Sequence, residues 1–147
     1  MKKIVIGSDH AAFEMKEFVK EFLLSKKIEI IDVGTKSADR CDYPDYAKAL
    51  VKVALQEKIP GILLCGSGIG VSIVANRYKG IRAALCRTAG DAEMARKHND
   101  ANVLCLGARN NTKDEIKAII ESFLNNEFEG GRHLDRLNKF QDLGVDC

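Results

Sequence analysis

The sequence predicts an α/β fold built on a parallel sheet, and three observations carry that reading. Five short runs, 3–8, 29–34, 61–65, 81–86 and 102–107, are apolar at almost every position. Strands read this way when both of their faces are covered, as in parallel sheets. Amphipathic stretches separate the runs, so strand and helix alternate. The chain has 147 residues, 46% hydrophobic and 30% charged, which suits one ordinary globular domain with its own core. No repeat, linker or low-complexity segment divides it. The expectation is a single domain over 1–147, a doubly wound (Rossmann-like) five-stranded parallel sheet with helices on both faces.

Each element follows from a local pattern. "KIVIGS" is a buried strand ending near a glycine. Met15, Phe18, Val19, Phe22 and Leu23 then recur at i, i+3, i+4, i+7 and i+8, one face of a helix. "EIIDVG" is the second strand. Tyr46, Ala47, Leu50, Val51 and Ala54 mark the next helix, with Pro44 near its start. "GILLC" is the third strand, and the loop "CGSGIG" opens a helix over about 69–78. "IRAALC" and "NVLCLG" are strands four and five, with a helix near 89–98 between them. Ile116, Ile119, Ile120, Phe123 and Leu124 mark a last long helix over 113–125, and a polar tail with "GGRHLDR" follows.

Bulk properties exclude several function classes. The net charge is +2, with both signs dispersed, so no basic stripe points to nucleic acid. No apolar run approaches the roughly 20 residues of a membrane span. "MKKIVIGSDH" has too short an apolar run for a signal peptide, and the expected compartment is the cytoplasm. The five cysteines are odd in number and none are spaced CxxC, which disfavours zinc ribbons and redox pairs. Cys86 and Cys105 read as small core residues, Cys41 and Cys147 as loop and tail residues.

Ligands of doubly wound sheets bind beyond the carboxyl ends of the strands. That rule gathers Ser8-Asp9-His10, Gly34-Thr35, Cys65–Gly70, Cys86-Arg87-Thr88 and Gly107-Ala108-Arg109 at one edge. The loop at 65–70 is G-x-G-x-G after strand three, so it lacks the dinucleotide spacing, and it has no Walker lysine. Val71 stands where a cysteine phosphatase loop needs arginine. What remains is either a tight turn requiring glycine or a nest of backbone N–H groups for an anion. Cys65 at its mouth is either a buried strand residue or a thiol whose anionic form the nest favours. Asp9 can cap a helix or bind substrate. His98-Asn99 can complement a helix C-terminus or serve a site. Arg132 and Arg136, at i and i+4 around His133, can form a solvated basic face or clamp a phosphate. Phosphate ligands, a poised base and an oxyanion nest together suit proton abstraction beside the carbonyl of a sugar phosphate, through an enediolate.

The stretches "IGSDHAAFEMK" (6–16), "IDVGT" (31–35), "DYPDYA" (42–47), "CGSGIGVSIVANR" (65–77), "GIRAALC" (80–86), "ARKHNDANVLCLGAR" (95–109) and "FEGGRHLDR" (128–136) resemble the type B family of ribose-5-phosphate isomerases. That group also includes the galactose-6-phosphate isomerase subunits. The resemblance runs in order along nearly the whole chain. It implies interconversion of ribose 5-phosphate and ribulose 5-phosphate, a step of the pentose phosphate pathway, without metal or organic cofactor. It implies Cys65 as the base between C1 and C2. Gly66, Gly68, Ile69 and Gly70 would form the anion hole, and the Ser67 hydroxyl, at a position often threonine, would contact substrate. His98 would open the furanose ring, with Asp9 holding sugar oxygens on the same path. Tyr43 would be a wall, Asn99 a substrate ligand, and His10, Arg109, Arg132 and Arg136 the phosphate group. One branch of the family has a glutamate base directly after the loop; Val71 stands there, which places this chain in the cysteine branch.

The resemblance also implies homodimers with shared sites, often paired into tetramers. The chain path agrees: helix 113–125 should leave the chain at the edge opposite the strand carboxyl ends, with Arg132 and Arg136 a few residues on. The segment 127–147 is therefore expected on a partner subunit. The alternatives are an allose- or galactose-6-phosphate isomerase, a nucleotide-binding regulatory α/β module, and an inactive structural partner.

Overall fold

The computed structural model describes residues 1–147. Strands β1 (Lys3–Ser8), β2 (Glu29–Asp32), β3 (Gly61–Cys65), β4 (Ala83–Leu85) and β5 (Val103–Gly107) form one parallel sheet in the order β2-β1-β3-β5-β4. The chain winds outward from β1 to β2, then returns to build β3 on the other side of β1. The junction between β1 and β3 is therefore a topological switch point, where a crevice opens at the strand carboxyl ends.

Side chains alternate along each central strand and split the core in two. Ile4 and Ile6 of β1, Ile62 and Leu64 of β3, and Leu104 and Leu106 of β5 face α1 (Phe13–Ser25), α4 (Ala89–Asn99) and α5 (Lys113–Asn125). Val5, Leu63, Cys65, Val103 and Cys105 face α2 (Tyr43–Glu57) and α3 (Ile69–Ala75). Each fully buried Ile, Leu or Val contributes about 1.5–3 kcal/mol. Cys65 thus lies at the end of a core stripe, where the chain turns out of the sheet into the glycine loop.

Helix ends obey their local signals. Thr112 and Glu115 form a reciprocal capping box on α5. Thr88 Oγ1 accepts from Asp91 N–H to start α4. The last turn of α4 carries Arg96, Lys97 and His98, with Asp100 left-handed at φ 46°. No helix is long and apolar enough to cross a membrane.

Several boundaries differ from the sequence expectation. Strand β2 stops at Asp32 rather than 34, because the Asp32 carboxylate takes the Gly34 N–H at 2.8 Å and bends the chain. Gly34 and Thr35 still exchange backbone hydrogen bonds with Ser8. Strand β4 covers only 83–85, since it is an edge strand, and Asn76 and Asn102 side chains hold the Ala83 and Arg82 amides. Helix α3 ends at Ala75 instead of 78. Asp9 caps a short 3₁₀ turn, His10–Ala12, before α1 begins. The "RHLDRL" stretch is a helix, α6 (Arg132–Leu137). The last residues are not loose: Val145 pairs with Tyr78, donating to Arg77 O and accepting from Lys79 N–H. Within the chain, the Glu129 amide bonds Lys97 O and links the segment after 126 to the end of α4.

Candidate active site

At the switch point, one cavity of about 610 Å³ is lined by Asp9, His10, Ala11, Tyr43, Cys65, Gly66, Ser67, Ile69, Gly70, Ile73, Arg109 and Asn110. The strand-end rule therefore gathers the expected residues of β1, β3 and β5. Gly34 and Thr35 at the end of β2 do not line it, and neither do Arg87 and Thr88 after β4. Arg87 and Thr88 sit in a separate groove against α5, because β5 intervenes between β3 and the outermost β4.

Cys65 ends β3 with only 5% of its surface exposed. Gly68 N–H points back at its sulfur, 3.1 Å away. This contact strengthens when the sulfur carries charge. Ile69 N–H bonds Ser67 Oγ at 3.2 Å. The loop is thus not a fully open nest: two of its amides are already turned onto its own cysteine and serine. Gly68 has φ +77°, and a Cβ there would fall 2.6 Å from Leu85 Cδ1 and 2.9 Å from the Leu106 carbonyl carbon. Both the turn and its closeness to β5 demand glycine. The Asn110 amide donates to Ser67 O at 3.2 Å and ties the loop to the end of β5.

The cavity walls come from neighbouring loops. Pro44 at the start of α2 sets Tyr43 at the helix entrance. The Tyr43 ring lies across Gly70, whose Cβ would sit 2.5 Å from the ring. The Arg109 guanidinium lies over Gly66, where a Cβ would be 3.0 Å from Nη1. Asp9 is buried, and its carboxylate accepts the Ala12 N–H at 3.2 Å. His10 Nδ1 accepts the Cys41 N–H at 3.2 Å. Behind this wall, buried Lys16 reaches Asp32 at 2.6 Å, and Lys20 reaches it at 2.8 Å. Burial would raise the Asp32 pKa, but hydrogen bonds from Lys16, Lys20 and the Gly34 amide hold it below the ordinary value. Burial also drives the Cys86 thiol up to about 12, so Cys86 is an inert core thiol as the sequence suggests.

The remaining expected site residues lie elsewhere. His98 and Asn99 end α4, whose 11 residues extend roughly 16 Å along the sheet, away from the strand carboxyl ends. His98 stacks on His133, ring centroids 4.3 Å apart, with Nε2 3.4 Å from Glu129 Oε1. Burial and the neighbouring His98 and Arg132 lower the His133 pKa. Arg132 and Arg136 project, exposed, from α6 beside them. Ligand atoms of His98, Glu129 and His133 lie within 4.8 Å of one another, the one cluster able to hold a cation, although the adjacent arginines oppose a dication there. Asn99 faces a groove of about 490 Å³ with Phe140, Leu143 and Gly144. The residues expected at the site therefore divide into two groups at opposite edges of the chain. Sequence reasoning missed Asn110, whose only signal was its place beside Arg109, and Glu129, which no local pattern marked.

A family model described as Ribose/Galactose Isomerase matches residues 4–140. The ribose-5-phosphate isomerase B of Escherichia coli K12 is 44% identical over 138 residues, 93% of each chain. The crystal structure of a ribose 5-phosphate isomerase RpiB of Thermotoga maritima superposes with a TM-score of 0.93 at 51% identity, covering 96% of this chain and 98% of that one. The ribose-5-phosphate isomerase B of Mycoplasma genitalium with bound ribulose-5-phosphate gives 0.90 at 39% identity, covering 95% and 93%.

Proposed function

The chain belongs to the ribose/galactose isomerase family, and on that premise we propose that it interconverts ribose 5-phosphate and ribulose 5-phosphate through an enediolate. The observation that carries the reading is the placement of the Cys65 thiol at a glycine loop on the switch point, in one cavity with Asp9, His10 and Arg109. In the open-chain aldose, the Cys65 thiolate takes the C2 proton. The electron pair moves into the C1–C2 bond, and the carbonyl oxygen becomes the oxyanion. Free loop amides, the Ser67 hydroxyl and Arg109 supply the positive edge for that charge. Transfer of the C2 hydroxyl proton to the C1 oxygen, and return of the abstracted proton from the Cys65 thiol to C1 as C2 becomes the carbonyl, give the ketose. No step requires a metal or an organic cofactor.

Ring opening and phosphate binding need the other half-site. His98, Asn99, Arg132 and Arg136 lie at the opposite edge of their own chain, so they act on the cavity of a second copy in an isologous dimer. Exposed Leu134, Phe140, Leu143 and Val145 on the C-terminal segment support burial there against that copy. Pairing of dimers into tetramers fits the same family. Five free cysteines, one of them the base, suit a reducing compartment, the cytoplasm. A hexose 6-phosphate is the second reading, since the same residues would serve a substrate one carbon longer.

The test compares ribose 5-phosphate with allose 6-phosphate in deuterium oxide. Turnover with deuterium incorporated at the transferred position, faster for the pentose, supports the assignment. Faster turnover of the hexose assigns the second reading, and no turnover of either rejects both.

A further inference from the structure

His10 lies in the cavity with Cys65, and its ring has one clear partner. The main-chain N–H of Cys41 donates to Nδ1 at 3.2 Å. An amide N–H only donates, so Nδ1 must present its lone pair. A neutral imidazole in that state carries its proton on Nε2, which has no partner within the chain. The contact joins elements far apart in sequence. His10 opens the 3₁₀ turn that Asp9 caps, and Cys41 ends the loop leading into α2. The Cys41 sulfur sits at the same ring edge, 3.8 Å from Nδ1. It adds bulk there, but the amide alone sets the proton's place.

We infer that the main-chain amide of Cys41 is a positioning group that fixes His10 as its Nε2–H tautomer, so that His10 meets substrate as a hydrogen-bond donor. A donor at that point matches a phosphate oxygen or an ether oxygen of the sugar, and it complements the Arg109 guanidinium in the same cavity. It cannot take a proton through Nδ1, which leaves the base role to Cys65. The inference rests on the reading of His10 as a substrate ligand. It assigns to residue 41 a function of its backbone, so the side chain there is replaceable.

The test uses two amides that mimic different ring nitrogens. In His10→Gln the side-chain amide nitrogen reaches the place of Nε2; in His10→Asn the amide group occupies the place of Nδ1. The expected result is a KM for His10→Gln within a few-fold of the parent. For His10→Asn, loss of a hydrogen bond to a charged group should raise KM about tenfold or more, with kcat little changed in either variant. Nitrogen-15 spectra of the parent enzyme, with His10 assigned by the signal missing from His10→Gln, should show a protonated Nε2 and a bare Nδ1. Cys41→Ala should leave that spectrum unchanged. A protonated Nδ1, or a smaller KM effect in His10→Asn than in His10→Gln, overturns the inference while leaving His10 a ligand. An unchanged KM in both variants removes His10 from the ligands and the donor role with it.

Discussion

Gly68→Ala tests whether the loop geometry serves the thiol. A Cβ at φ +77° costs about 1–2 kcal/mol in the left-handed region. It would also stand 2.9 Å from the Leu106 carbonyl carbon and 3.1 Å from the Gly107 nitrogen. Those are main-chain atoms of a central strand, so the loop, not the strand, must move. Moving it withdraws the Gly68 amide from Cys65 Sγ, now 3.1 Å away. A hydrogen bond to a charged group is worth about 1.5–3 kcal/mol, so kcat should fall roughly 10- to 150-fold. Initial rates and the rate of Cys65 alkylation by iodoacetamide should fall together. Gly130→Ala is the control for stability: its φ is +69°, yet nothing lies within 4 Å of the added carbon. It should cost only the backbone term, about 1–2 kcal/mol. A folded Gly68→Ala with parental turnover and alkylation would refute the claim that this amide supports the thiolate.

Three further outcomes follow from the arrangement. His98→Asn should slow ribose 5-phosphate turnover far more than that of ribulose 5-phosphate, which forms no furanose; equal initial-rate losses in both directions remove the ring-opening role. Asp32, held below the unfolded value of about 3.9, gives stability that is present above that value and lost as pH falls through the lower folded pKa. Denaturant titrations of Asp32→Asn between pH 7 and 2 should therefore show a weaker acid loss than the parent, and an identical slope would contradict the pairing with Lys16 and Lys20. Mixing inactive Cys65→Ala with inactive Arg136→Ala should restore part of the activity, because some sites then draw both functional halves from intact residues. Confirmed mixed dimers without activity would place each arginine at its own chain's cavity.

The central strands were legible because burial on both faces leaves an uninterrupted apolar run. The edge strands were legible too, but not their limits, because side chains set them: Asp32 captures the Gly34 amide after β2, and Asn102 captures that of Arg82 before β4. The strand-end rule found Asp9, His10, Cys65 and Arg109 without any contact information. It erred at Arg87 and Thr88, because the order of β4 and β5 is a long-range choice that no local pattern encodes. The Cys41–His10 and Glu129–His98 pairs were hidden for the same reason, being 31 residues apart in each case. The pairing of Val145 with Tyr78 was hidden as well, because it runs through backbone groups, which carry no sequence signature.

Cys65→Ala addresses the central claim most directly. The substitution removes the sulfur that ends β3 and leaves His10, Arg109 and the loop backbone in place. Exchange of the transferred proton with deuterium oxide, followed by NMR on ribulose 5-phosphate, which forms no furanose, separates the proton-transfer step from ring opening. Exchange should fall by at least the roughly 10²–10⁴-fold expected for loss of a general base, while substrate still protects the folded variant against thermal unfolding. Exchange near the parental rate would contradict the account and require a base other than Cys65.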